Sequence, residues 1–162
     1  MLAELKSAEA ETSLQSKTVI VEKLLGSSQV FIKLVASQAG LSQDPQRQVR
    51  QITELITNVT PQITNVLSQG RAIGAYSLGQ GFLNSAASTQ FDDLLLQLEK
   101  LHAEYGLNLQ EALAGNVVAQ NGLGSLAEAS RQSLKDSGVL FEDQVIIADS
   151  LDTPWAQFLS LI

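Results

Sequence analysis

The stretch VRQITELITNVTPQITNVLSQGRAIGAYSLGQG, Val49 to Gly81, decides the fold class. Val49, Ile52, Leu55, Ile56, Val59, Ile63, Val66, Leu67 and Ile73 recur at three- and four-residue spacing, which is the period of one helical face. The phase survives Pro61, a residue that removes a backbone donor and crowds the preceding turn, so the spacing predicts one helix kinked at the proline. Gly70, Gly74, Gly79 and Gly81 run against that helix, since a glycine in a helix interior costs roughly 1 kcal/mol relative to alanine. Close packing of another helix, or of a ligand, against the backbone accounts for them.

Outward from this rod the chain keeps the helical period. From Leu2 to about Ala39 the apolar positions Leu14, Val21, Leu24, Leu25, Phe31, Ile32 and Val35 predict a long first helix, bent at Gly26. Gly40 ends it, and Asp44 with Pro45 reads as an N-cap and first helical residue. After Gly81 a turn over 82–88 leads to Thr89 and Asp92, a capping-box variant that starts a third helix. That helix is predicted to run through Leu94, Leu98, Leu101, Tyr105, Leu109, Leu113 and Val117 to about Lys135, with Gly115, Gly122 and Gly124 as points of bending. Lys135 to Gly138 reads as a helix end, and a fourth helix spans Phe141 to Ile162, with Pro154 kinking it or starting its final segment. The prediction is an all-α, elongated antiparallel four-helix bundle forming one domain over residues 1–162.

The composition agrees with packed helices: the 162 residues are 44% hydrophobic but only 5% aromatic, with three prolines. A formal charge of −7 and a pI of about 4.6 repel phosphate backbones and exclude nucleic acid as a partner. Without cysteine there is no disulfide framework or thiolate chemistry. No apolar run reaches the ~20 residues that span a bilayer, and Met1 is not followed by a signal peptide. The sequence opens inside a helical pattern and stops at WAQFLSLI, from which a fragment of a larger protein is expected.

Candidate chemistry is sparse. Glu99 and His102 have the Glu-x-x-His spacing of bundle metal sites, but those take the motif from two helices and this chain has one histidine. No metal and no cofactor are therefore expected. Neither G-x-S-x-G nor a phosphate-binding loop occurs, and the adjacent carboxylates Asp92–Asp93 and Glu142–Asp143 suit helix starts, so the chain is expected not to be an enzyme. Asn58-Val59-Thr60 fits a glycosylation acceptor only formally, inside a helix and before Pro61. Arg71 keeps two readings: a salt bridge to a neighbouring helix, or a fork of donors for the carboxylate of a ligand.

Three landmarks, GLSQDP (Gly40 to Pro45), VTPQITNVLSQGRAIG (Val59 to Gly74) and the exit AYSLGQG, resemble the sensory ectodomains of bacterial methyl-accepting chemotaxis receptors and related membrane-bound sensor kinases. The resemblance covers roughly residues 36–81. It implies a helix-start role for Asp44 and Pro45, a helix step at Pro61, and an Arg-Gly segment at Arg71 and Gly74. The chain departs from the pattern after Pro45, where QRQVRQ replaces an acidic, tyrosine-containing segment. The resemblance implies a periplasmic, extracytoplasmic domain of an inner-membrane protein, membrane-anchored through its flanks, homodimeric, and responsive to a small solute or protein stimulus. Arg71, Arg47 and Arg50 are the candidate anion-binding residues, with Tyr76 on the same face, and a helical scaffold, secretion or adhesion module is the alternative.

Overall fold

The computed structural model describes residues 14–161, and among them all regular structure is helical. Leu2 to Ser13 of the predicted first helix, and the terminal Ile162, lie outside the described residues. Helix α1 (Leu14–Gln38) runs through Gly26 without interruption. Ser27 and Ser28 turn their hydroxyls back onto the helix, donating to the carbonyls of Lys23 (2.8 Å) and Leu24 (2.9 Å) instead of opening a turn. The helix gives way at Gly40, at φ 73°, to a 3-10 turn (Leu41–Gln43).

The decisive stretch forms one rod. Helix α2 (Arg47–Glu54) passes through a π turn (Leu55–Val59) into α3 (Thr60–Gln80), and Gly81 ends the rod at φ 72°. The π turn is how the rod accommodates Pro61. Thr60 donates its N–H to the Leu55 carbonyl five residues back, so the ladder has changed register just where the proline has no N–H to give. Asp44 is not the N-cap. Its carboxylate accepts from the Gln46 N–H at 2.8 Å, an Asx turn, and the helix starts two residues later than the Asp-Pro signal suggests.

Further along, four predicted boundaries move. Helix α4 (Ser85–Leu113) begins before Thr89, because Asn84 accepts from the Ala87 N–H at 2.9 Å and caps it. The long third helix is two helices: Gly115 takes φ 73°, Asn116 caps the next start through the Ala119 N–H at 2.9 Å, and α5 (Val117–Phe141) folds back antiparallel to α4. Lys135 to Gly138 is not a terminus, since α5 continues to Phe141 and a π turn (Glu142–Ile146). Gly138 lies inside the helix facing α4, where a Cβ would come 3.4 Å from Leu98 Cδ2, about ordinary contact. The predicted fourth helix shrinks to that π turn, a linker, and the short α6 (Trp155–Leu161) that begins directly after Pro154.

Helix α4 is the centre of the packing, with the α2–α3 rod on one side and α5 on the other. One core cluster joins Leu55, Val59 and Val66 of the rod to Leu94, Leu98 and Leu101 of α4 and Leu134 of α5. A second joins Leu78, Phe91, Phe141, Val145 and Phe158, so it is closed by α6. Helix α1 lies against the rod through buried Ala36 and a Lys33 Nζ to Asn58 Oδ1 bond of 2.5 Å. No described helix is long and apolar enough to cross a membrane.

Candidate functional site

The glycine-rich end of the rod is a socket for the last helix. Gly70 and Gly74 are four residues apart on one face of α3, both buried. The Phe141 ring rests on Gly70: an added Cβ would lie 2.6 and 2.7 Å from its Cζ and Cε2. Phe158 of α6 rests on Gly74 in the same way, at 2.5 and 2.6 Å from such a Cβ. Phe91 completes the group, its ring centroid 5.8 Å from that of Phe141, which is in turn 6.1 Å from Phe158. These tilted contacts are the favourable arrangement for aromatic quadrupoles. Only glycine lets the backbone of α3 form the floor on which two rings lie.

Arg71 closes the socket from the side. Its Nη2 donates to the Leu159 carbonyl at 3.1 Å, a bond from α3 to α6 across 88 residues. The carbonyl belongs to the last turn of α6, where helix carbonyls lack intrahelical donors and the dipole favours a cation. The partner that the fold gives Arg71 is thus a backbone carbonyl of α6.

The other predicted site residues do not join it. Arg47 and Arg50 stand more than 20 residues down the rod, about 30 Å away at 1.5 Å per residue. Arg47 pairs with Glu111 at 2.5 Å, and Arg50 Nη1 donates to the carbonyls of Asp44 and, at 3.1 Å, Pro45. The two arginines fasten the start of the rod to the end of α4 and to the Asp-Pro turn. Tyr76 is exposed and, five residues from Arg71, points roughly 140° away around the helix, so the shared face expected of them is not formed. Gly79 has open space around it and Gly81 is a helix terminus, and among the described residues neither has a close neighbour.

A second feature lies on the far side of α4, in the furrow between α4 and α5. Its larger part, about 630 Å³, is lined by Leu98 and Leu134 and edged by Glu99, His102, Lys135 and Glu142. It continues past His102 and Arg131 into a smaller recess of about 470 Å³ beside Gly106 and Gly124. Arg131 is forked onto Glu128 at 2.8 and 3.1 Å, and this hydrogen bond lowers the Glu128 pKa and raises that of Arg131. Glu99 and His102 share the furrow, but among the described residues no three His, Cys, Asp or Glu side chains converge as metal ligands would. Comparison with protein-family models, curated proteins and solved structures finds no match.

Sequence reasoning missed the phenylalanines. Of the five in the chain, three meet over the two glycines, and the available signal was a Gly-x-x-x-Gly face that calls for large partners elsewhere. The furrow too had a trace in the sequence: Gly106 and Gly138 interrupt the stripes of α4 and α5 where the two helices face each other.

Proposed function

We propose that this chain is the extracytoplasmic sensing domain of a membrane-anchored bacterial chemoreceptor or sensor kinase, an antiparallel four-helix bundle that works as a homodimer and has no catalytic role. The observation that carries the reading is the coincidence of the Arg-Gly segment with the docking site of the terminal helix. Arg71 and Gly74, two of the residues that carry the family resemblance, hold Leu159 and Phe158 of α6. A stimulus that favours one arrangement of the rod over another then shifts α6, and the shift passes along the chain toward the membrane. In this reading Arg71 transmits and does not bind the stimulus.

The test is thermal unfolding of the chain against amino acids, small carboxylates and inorganic anions. A direct ligand at 100 times its Kd adds about 2.7 kcal/mol, which at about 2–4 °C per kcal/mol is a rise of about 5–10 °C in Tm. A flat response across the panel overturns solute sensing. It would favour the scaffold alternative, which the exposed apolar face of α1 supports.

A further inference from the structure

We propose that Asn121 is a site of spontaneous deamidation in the folded chain, converted to aspartate and isoaspartate by ring closure with the nitrogen of Gly122. Of the six asparagines in the chain, only Asn121 is followed by glycine. The reaction asks for a side-chain amide that is not otherwise engaged and a following residue without a Cβ to obstruct the approach. Asn58 is held by Glu54, Lys33 and Gln62, and Asn84 and Asn116 cap helix starts. Asn65 and Asn108 precede Val66 and Leu109, whose side chains crowd the attacking nitrogen. Asn121 is exposed, and its amide has no partner among the described residues.

A helix ordinarily protects such a pair, because the glycine N–H is spent on the carbonyl four residues back and the helical backbone keeps its nitrogen from the side-chain carbon. At Asn121 that protection is thin. Asn116 caps α5, so Asn121 lies barely more than one turn inside the helix. No residue from Val117 to Ser133 is buried, and the first buried residue of the helix is Leu134. Val117 and Val118 are 66% and 84% exposed. Gly122 and Gly124 lower the helix propensity further, and neither has anything within 4 Å of where a Cβ would stand. Beside Gly124 the recess of about 470 Å³ separates this part of α5 from α4, where closer packing would tie the two together. The first turns of α5 therefore unwind with little loss of buried contact, independently of the rod and the phenylalanine cluster.

Once the turn is open, the Gly122 nitrogen gives up its proton and attacks Asn121 Cγ. The new C–N bond closes a succinimide ring, and the side-chain nitrogen takes up a proton and leaves as ammonia. Water then opens the ring at either carbonyl. Opening at one restores the main chain and leaves aspartate. Opening at the other leaves isoaspartate, in which the main chain runs through the former side chain and is longer by a methylene group. Both products add a negative charge, and isoaspartate breaks the helical ladder across position 121. The change frees Val117 to Asn121 from the helix while Leu134 and Phe141 stay packed in the two cores.

The test is incubation of the intact chain at mildly alkaline pH, with peptide mass mapping to follow conversion of amide to acid and a protein isoaspartate methyltransferase to label the isoaspartate. Modification at Asn121 well ahead of the other five asparagines is the expected result. Gly124→Ala keeps the Asn-Gly pair but strengthens the helix around it, at a position with room for the methyl, so it should slow the reaction about fivefold. Gly26→Ala, equally unobstructed but in α1, should leave the rate unchanged. An Asn121 that stays an amide in the folded chain, while it reacts in the urea-unfolded chain, overturns the proposal. Equal slowing by the two alanines would place the reaction in the globally unfolded chain and overturn it as well.

Discussion

Replacing Gly74 by alanine tests the socket through the sign of its effect. In an unobstructed helix interior the change to alanine stabilises by up to about 1 kcal/mol. At Gly74 the new methyl would lie 2.5 Å from Phe158 Cζ and 2.6 Å from Cε1, with Phe91 Cζ at 3.4 Å behind them. Phe158 is fully buried and abuts the Phe141 ring, so the ring has no free volume to enter. Overpacking of this kind costs about 1–3 kcal/mol. The matched control is Gly122→Ala, inside α5 with open space at its Cβ. The control should gain stability and Gly74→Ala should not, and their difference isolates the overpacking cost of about 1–3 kcal/mol. At about 2–4 °C per kcal/mol that is a gap of about 2–12 °C in Tm, read by thermal and urea unfolding. Phe158→Leu, which removes the two distal ring atoms in question, should erase the penalty in a double-mutant cycle. If Gly74→Ala stabilises as much as Gly122→Ala, the contact between α3 and α6 is wrong and with it the docking site on which the proposed function rests.

Three further outcomes are expected. Gly115→Ala should lose about 1–2 kcal/mol in urea unfolding, because the position holds φ 73° and a side chain there is strained; an unchanged midpoint would restore the long third helix. Arg71→Met should leave global unfolding close to that of the original chain but speed hydrogen exchange across α6, since its bond ends on the Leu159 carbonyl; unaltered exchange there would remove Arg71 from the coupling. For Glu128, whose pKa lies below the ordinary glutamate value, any stability from its bond to Arg131 is complete above that ordinary value and is lost as pH falls through the lowered one. An NMR titration of Glu128 should therefore show a depressed midpoint that rises toward the ordinary value in Arg131→Gln, and identical midpoints in the two proteins would dissolve the pair.

The helical class was legible because helical periodicity is a local property. The stripe from Val49 to Ile73 lies on one rod, and even the passage through Pro61 follows from the phase of its neighbours. The break at Gly115 was hidden by the same signal: Leu109, Leu113 and Val117 keep a four-residue spacing across it. What ends the helix is a positive φ and the Asn116 cap, which periodicity does not register. Gly138 misled in the opposite direction, since a lysine followed by a glycine reads as a C-terminus, whereas this glycine lies inside a helix that continues to Phe141. The arginines were visible as residues but their partners were not. Glu111 is 64 residues from Arg47 and Leu159 is 88 from Arg71, and both pairs come together only after the chain folds back.

Helix α6 shows how those long-range partners bear on the proposed function. Helix α6 has seven residues, well short of the ~12–15 at which an isolated helix is even marginal in water. Its helicity is therefore borrowed from the socket: Phe158 on Gly74, and Arg71 on the carbonyl end. The same contacts that form α6 also tie its position to the rod, so a displacement of α3 moves or releases α6 with little alteration of the core around Val59 and Leu98. Under the proposed sensing role, a segment held mainly by α3, with the Phe141 ring of α5 beside it, suits an output, because a stimulus that alters α3 is then felt at α6. Stronger intrinsic helicity in α6 would weaken this dependence, and the linker before it, with Asp149, Asp152 and Pro154, keeps α6 from becoming a continuation of α5.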